Sequence, residues 1–285
     1  MTTVMFWSPD KGNSRTSSHA AITAITASLQ YRLKLLLCHN QYRYHSVEAG
    51  LLSTSTDTDI SADNADRRSI PGIDRLYYSY KSGILTRSNV SSYMIALLQN
   101  RLDLLAGTDK AAPIPADDLF WKYMLHTAGL CYDLILLDAG SGLEQMPLLA
   151  EADLVIVNLG QDLVQLNTFF HEYAHHEVMR SRVWIPVLGA YQTESALTAA
   201  WIANQFKVEQ DIYRLNAYQD FEDAWNAQNL FSFMRHQLML DGSHDTSAQS
   251  AEFLRQSFFL AAAILEQLGG ISVVSGAVIK FPVHT

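Results

Sequence analysis

The sequence is poor in cysteine, in basic charge and in long apolar runs. Among its 285 residues there are only two cysteines, Cys38 and Cys131. Both sit in or beside apolar runs, so two buried thiols in a reducing compartment fit better than a disulfide. Lys plus Arg number 20 against 29 Asp plus Glu, a net charge of −9. That balance argues against nonspecific nucleic-acid binding through bulk charge and leaves only a local basic patch for such a role. No apolar run reaches membrane-spanning length, and the longest candidate, Phe258 to Leu265, is short and continues a helical pattern. Thr2 to Trp7 form a strand-like run without the basic region and long apolar stretch of a secretory leader. A cytoplasmic protein is expected.

What is present is a globular composition, 48% hydrophobic and 17% charged, long enough for a large core. Apolar runs of strand length alternate with helical patterns, which implies parallel βαβ units and a doubly wound α/β fold with a mostly parallel sheet. Strands are expected at Val4 to Trp7, Leu35 to Cys38, Arg75 to Tyr78, Leu102 to Leu105, Leu134 to Leu137, Leu154 to Val157, Val183 to Leu188 and Ile212 to Leu215. Helices are expected at Ser17 to Arg32, Asn89 to Leu98, around Phe120, Tyr123 and Met124 with Asp117 or Asp118 as cap, and at Ala248 to Leu268. Ser53 to Arg68 is polar and reads as a loop. With no internal repeat and no clear linker, residues 1–270 read as one domain, followed by a β-like tail at 271–285.

Ligands of open parallel sheets bind beyond the carboxyl ends of the strands. Two such ends stand out. One is the segment Ser8 to Ser18, between the first strand and the first helix, where backbone N–H groups and a helix N-terminus would face an anion. The other is Asp138-Ala139-Gly140-Ser141-Gly142. There an aspartate could hold a metal-bound water and the glycines would let a loop rearrange. Both segments end buried strands, so Gly12 to Ser17 should face Asp138.

Order and context give these features a resemblance. Tyr132 to Leu143 is similar to the "YD-apolar-D-x-x-x-G-L" segment of MinD/ParA-type P-loop ATPases, and Ala152 to Val157 resembles their next strand. Lys11-Gly12 resembles the start of their phosphate loop, K-G-G-x-G-K-S/T, and Ala217 to Asp220 resembles a late P-Y-D region. The similarity spans about residues 2 to 268. It implies an ATP site built from Lys11, Gly12, Asn13, Ser14, Arg15, Thr16, Ser17, Ser18 and Gly142, with magnesium at Ser17 and Asp138, and Asp138 in any catalytic role. It also implies a homodimer in which Lys11 reaches the partner.

Departures from the pattern carry equal information. Arg15 stands where the second loop glycine is expected, and Thr16 stands for the lysine that meets the β- and γ-phosphates. Arg15 could supply that charge if the loop is one residue shorter. His39-Asn40-Gln41 stand where the family has D-x-D, and Gly189-Ala190-Tyr191 where it often has a base-reading Asn. Such altered loops resemble the TadZ/CpaE-like branch, which serves the assembly of pili and secretion systems.

One motif competes. His171-Glu172-Tyr173-Ala174-His175 matches H-E-x-x-H, which on one helix would offer two zinc ligands and a general base, with Glu194 as a third ligand. The bland reading is the solvated face of a crossover helix, continued by His176 and Glu177, with no zinc. Tyr77-Tyr78-Ser79-Tyr80 reads as packing, and Trp201, Phe206, Tyr213 and Trp225 as core. The expected function is a MinD/ParA-like switch or scaffold with weak or absent ATP hydrolysis. It would act on protein partners of a cellular assembly, without a strong nucleic-acid signal, at a pole or the inner membrane face to which a partner recruits it. The alternatives are an active ParA-type partition ATPase and a zinc peptidase.

Overall fold

The computed structural model describes residues 2–12, 14–43, 46–52, 72–110, 112–240 and 247–269. Asn13, the Ser53 to Arg68 loop and the tail from Ile271 onward lie outside the described residues. In chain order the elements are β1 (Thr3–Ser8), α1 (Thr16–Gln30), β2 (Leu35–His39), α2 (Glu48–Leu51), α3 (Ile73–Lys81), β3 (Ile95–Leu98), β4 (Leu102–Leu105), α4 (Leu119–Ala128), β5 (Leu134–Ser141), α5 (Met146–Leu149), β6 (Leu154–Leu159), α6 (Leu163–His171), α7 (Glu177–Ser181), β7 (Val183–Tyr191), α8 (Ala199–Phe206), β8 (Tyr213–Asn216), α9 (Gln219–Asn226), α10 (Leu230–Leu240) and α11 (Ala248–Gln267).

The strands form one eight-stranded sheet in the order β3-β4-β2-β5-β1-β6-β7-β8. Every pairing is parallel except β3 with β4. The inner strands are continuous apolar runs because both faces are covered. Alternate residues feed two cores. Val4, Phe6, Leu35, Leu37, Leu134 and Leu136 face α1, α10 and α11. Met5, Trp7, Leu36, Cys38, Ile135 and Leu137 face α4, α5 and α6 on the other side. Helix α1 is buried from Ser18 to Ser28 between the sheet and α11. Both cysteines are free thiols, Cys38 buried as expected and Cys131 only half-buried, beyond the end of α4. Among the described residues no helix is long and apolar enough to cross a membrane.

Two expected elements differ. Arg75 to Tyr78 lies inside helix α3, not a strand. Ile73 and Leu76 are buried three residues apart, and Tyr77 and Tyr80 pack on Phe120 at 5.1 and 5.6 Å. A four-residue window is too short to separate the two periods. Asn89 to Leu98 is not one helix but a short 3-10 turn, Val90–Tyr93, followed by β3. Asn100, at φ 59°, turns the chain so that Ile95 meets Leu104 in an antiparallel hairpin. Asp118, rather than Asp117, caps α4 by accepting the Phe120 N–H at 2.9 Å.

The sheet sets up the site through one irregularity. Phe6 pairs with Asp138 and Trp7 with Gly140, so Ala139 is an extra residue in β5. Such a bulge bends the strand and re-aims its side chains. Gly140, at φ 78°, completes the bend.

Candidate functional site

A cleft of about 660 Å³ opens at the carboxyl ends of β1, β2 and β5. Its walls include the loop residues Asp10, Lys11, Gly12, Ser14, Arg15, Thr16, Ser17 and Ser18, with Ala139, Gly140 and Ser141 from β5. Tyr42, Pro113 and Trp225 give it an apolar rim. Trp225, expected in the core, packs against it partly buried, covers the backbone of Gly50, where an added Cβ would run into the indole, and lines the cleft, whereas Trp201, also expected in the core, is exposed.

The loop is held from within. Ser8 Oγ donates to Asp10 O at 2.9 Å, Ser14 Oγ and Thr16 Oγ1 lie 3.2 Å apart, and Ser18 Oγ donates to Arg15 O at 3.0 Å. Arg15 is the N-cap of α1 and adopts the left-handed conformation, φ 59° and ψ 27°. Glycine tolerates that conformation, while an L side chain there costs about 1 kcal/mol. Helix α1 then begins at Thr16, so the N–H groups of its first turn lie at the cleft without helical partners. Thr16 brings a hydroxyl there and no charge.

Arg15 does not aim its guanidinium freely into the cleft. Its Nη1 lies 2.7 Å from Glu222 Oε2 on α9. Lys11 is exposed at the cleft wall. On the flank toward β7, His19 packs against Gly189, where a Cβ would meet His19 Cε1 at 2.7 Å. His19 Nδ1 lies 2.7 Å from Asn158 Oδ1. Because Asn158 Nδ2 donates to Trp7 O at 3.2 Å, its oxygen faces the ring and His19 Nδ1 carries the proton. Burial drives the His19 pKa down to about 4; the Asn158 bond opposes the shift and the charge of Arg15 adds to it.

Ser17 and Asp138, 121 positions apart in the chain, are in contact: Ser17 Oγ donates to Asp138 Oδ2 at 2.6 Å. Ser46 Oγ donates to the same oxygen at 2.6 Å and Gln41 Nε2 at 3.2 Å. The other oxygen accepts the Gly140 N–H at 3.0 Å. Asp138 is fully buried, and neither it nor Ser46 lines the cleft. Oxygen donors of this kind suit a hard cation. Yet one carboxylate oxygen already receives three donors and the group is shut off from the cleft, so the arrangement as it stands does not fit magnesium. Gly142 also stands back from the cleft: its N–H donates to Ser8 O and its carbonyl accepts the Trp7 Nε1–H, both at 3.0 Å.

The triplet that starts at the last residue of β2 has found other work. His39 Nε2 lies 2.9 Å from Glu48 Oε1, both side chains fully buried. Glu48 also accepts the Gly107 N–H. Asn40 Nδ2 donates to Ile114 O at 2.6 Å. Ser46, Glu48 and Glu222 join the site without a motif around them, and nothing near them in the chain announces their partners.

The H-E-x-x-H pattern does not lie on one helix. Helix α6 ends at His171 with Glu172 as its C-cap, and Tyr173–His175 form a separate 3-10 turn. His171 and His175 therefore do not share a helical face. No group of three or more His, Cys, Asp or Glu side chains that could hold a metal ion occurs among the described residues.

No family model matches the chain, and no curated protein matches it. Solved structures do. A ParA family ATPase from Chlorobium tepidum is similar over 92% of this chain and 98% of its own, with a TM-score of 0.67 and 16% identity. The Aquifex aeolicus MinC:MinD cell division protein complex contains a chain similar over 99% of both, with a TM-score of 0.64 and 14% identity. The septum site-determining protein MinD of Pyrococcus horikoshii, complexed with Mg-ADP, is similar over 96% of this chain and 100% of its own, with a TM-score of 0.63 and 12% identity. At these identities the likeness is one of architecture: the chain has the fold of the ParA/MinD ATPases.

Proposed function

We propose that this chain is a ParA/MinD-like positioning protein that works as a scaffold or switch, with ATP hydrolysis weak or absent. The observation that carries the reading is the state of the phosphate loop. Thr16 offers no charge where a transferring phosphate needs one, and Arg15 is engaged by Glu222. Phosphoryl transfer is accelerated mainly by electrostatic stabilisation of the moving charge, so losing a cation there costs on the order of a hundredfold or more. The cleft and the open N–H groups of α1 still offer a place for a phosphate ligand such as ATP.

Lys11 is exposed at the cleft wall, where a second copy of the chain could meet it, and we take the working form to be a homodimer closed across that face. The partners would be proteins of a cellular assembly, a pilus or secretion machine of the kind served by TadZ/CpaE-like proteins, which would recruit it to a pole or the inner membrane face. An active partition ATPase is the rival. Two measurements on the purified chain separate them: ATP turnover, and mass by light scattering with and without ATP. Turnover near background with a dimer weakened by Lys11→Ala fits the scaffold. Robust turnover lost on Asp138→Ala fits the rival.

A further inference from the structure

The corner around Asp138 is built as a closed hydrogen-bonded knot. Ser17 and Asp138 sit 2.6 Å apart, oxygen to oxygen. Two ligands at right angles on one magnesium ion, each at its ordinary distance, stand about 3 Å apart. The gap is therefore tighter than two direct ligands of one cation allow, and an ion held at Ser17 would meet Asp138 only through a bound water. Ser46 Oγ lies 3.4 Å from Ser17 Oγ as well as 2.6 Å from Asp138, so a protein hydroxyl fills the space beside both. Gln41 closes the remaining side, since it bonds Asp138 and lines the cleft while Asp138 does not.

The plug is firmly mounted. Ser46 is buried and its carbonyl accepts the Ala49 N–H at 2.9 Å at the start of α2. Glu48 ties that helix to His39 and to Gly107, and Gly50 lies under Trp225. Gln41 is confined by Gly140, where an added Cβ would stand 3.2 Å from its Nε2. Moving Ser46 aside to admit a hydrated ion would disturb a buried polar network, and such networks are costly when half satisfied.

We propose that Gln41 and Ser46 replace the divalent ion at this corner, so that the loop takes its polyphosphate ligand without magnesium. Asp138 then serves as a buried acceptor that locks the N-terminus of α1 to α2, and the ligand's charge is met by the α1 N–H groups with Lys11 and Arg15. The inference rests on the reading of the cleft as a phosphate site.

The test is calorimetric titration of ATP, and of pyrophosphate, into the full chain in magnesium and in EDTA. The wild type should bind ATP as tightly in EDTA as in magnesium, within about threefold, because no site for the ion is filled. The variant Gln41→Ala/Ser46→Ala opens the corner and should gain magnesium dependence of about tenfold. Should that variant misfold, Gln41→Ala alone, at the cleft wall, should show the same trend. Wild-type binding tightened about tenfold by magnesium would overturn the inference and leave the phosphate site standing. Metal-independent binding in the opened variants would show that Gln41 and Ser46 do not exclude the ion, which also overturns it. No binding of either ligand under either condition would remove the phosphate-site reading and this inference together.

Discussion

Arg15 and Glu222 lie 207 positions apart in the chain and meet at 2.7 Å, with the Arg15 side chain 41% and the Glu222 side chain 23% exposed. A pair this open is screened by solvent and stabilises the fold little. Its consequence for binding is larger, because any phosphate entering the loop must compete with Glu222 for the guanidinium. Glu222→Gln should therefore tighten pyrophosphate or ATP binding by about twofold to fivefold, the equivalent of one exposed pair. Titration calorimetry reads it, and unchanged or weaker binding would show that Arg15 takes no part.

The charge missing at Thr16 can be returned. In Arg15→Gly/Thr16→Lys, glycine relieves the left-handed strain of about 1 kcal/mol while the exposed ion pair is given up, so stability should stay within about 1 kcal/mol of wild type. ATP affinity should rise by about tenfold, since an ammonium at the first turn of α1 meets phosphate directly. An equally stable variant with no gain in affinity would mean that the cleft does not hold phosphate at that turn.

His19 makes stability depend on pH. Its folded pKa of about 4 lies below the usual 6.5 because the ring is buried. Between those values the unfolded chain binds a proton that the folded chain refuses. The contribution is whole above about pH 6.5, falls as pH drops through the window, and is lost below about 4; the full swing is roughly 3 kcal/mol. Urea unfolding at about pH 7.5 and about pH 4.5 should show a smaller acid loss in His19→Gln than in wild type. Parallel losses would place the acid sensitivity elsewhere.

Gly107 is a packing requirement. A Cβ there would collide with the carbonyl of Gln41 and stand 2.5 Å from His39 Cε1. The carbonyl is backbone and cannot swing away, so Gly107→Ala should cost about 2 kcal/mol or more and loosen the His39–Glu48 pair. A melting temperature unchanged from wild type would contradict this.

Much of the fold is legible because buried parallel strands write themselves as unbroken apolar runs. Leu134 to Leu137 and Leu154 to Val157 can be read on sight. The meeting of Ser17 with Asp138 follows from topology, since one lies in the first turn of the helix after β1 and the other toward the carboxyl end of the neighbouring strand β5. Helix α3 and strand β3 are harder. Arg75 to Tyr78 is too short to separate the two periods, and a hairpin turn at Asn100 decides Asn89 to Leu98. The closure of the Asp138 corner is not legible. Gln41 and Ser46 look like ordinary loop residues, and only the packed chain shows which oxygen they address. Glu222 gives no local sign at all, because its partner is near the other end of the sequence.

Helix α1 has no exposed face from Ser18 to Ser28. A helix so enclosed exchanges its amide hydrogens only when the whole molecule opens. No partner can grip it there, and it cannot unwind by itself. A ligand in the cleft would therefore be sensed sideways, by routes such as Glu222 into α9 or Ser46 into α2. The buried helix acts as a fixed post, and the two short helices beside it are the parts placed to report.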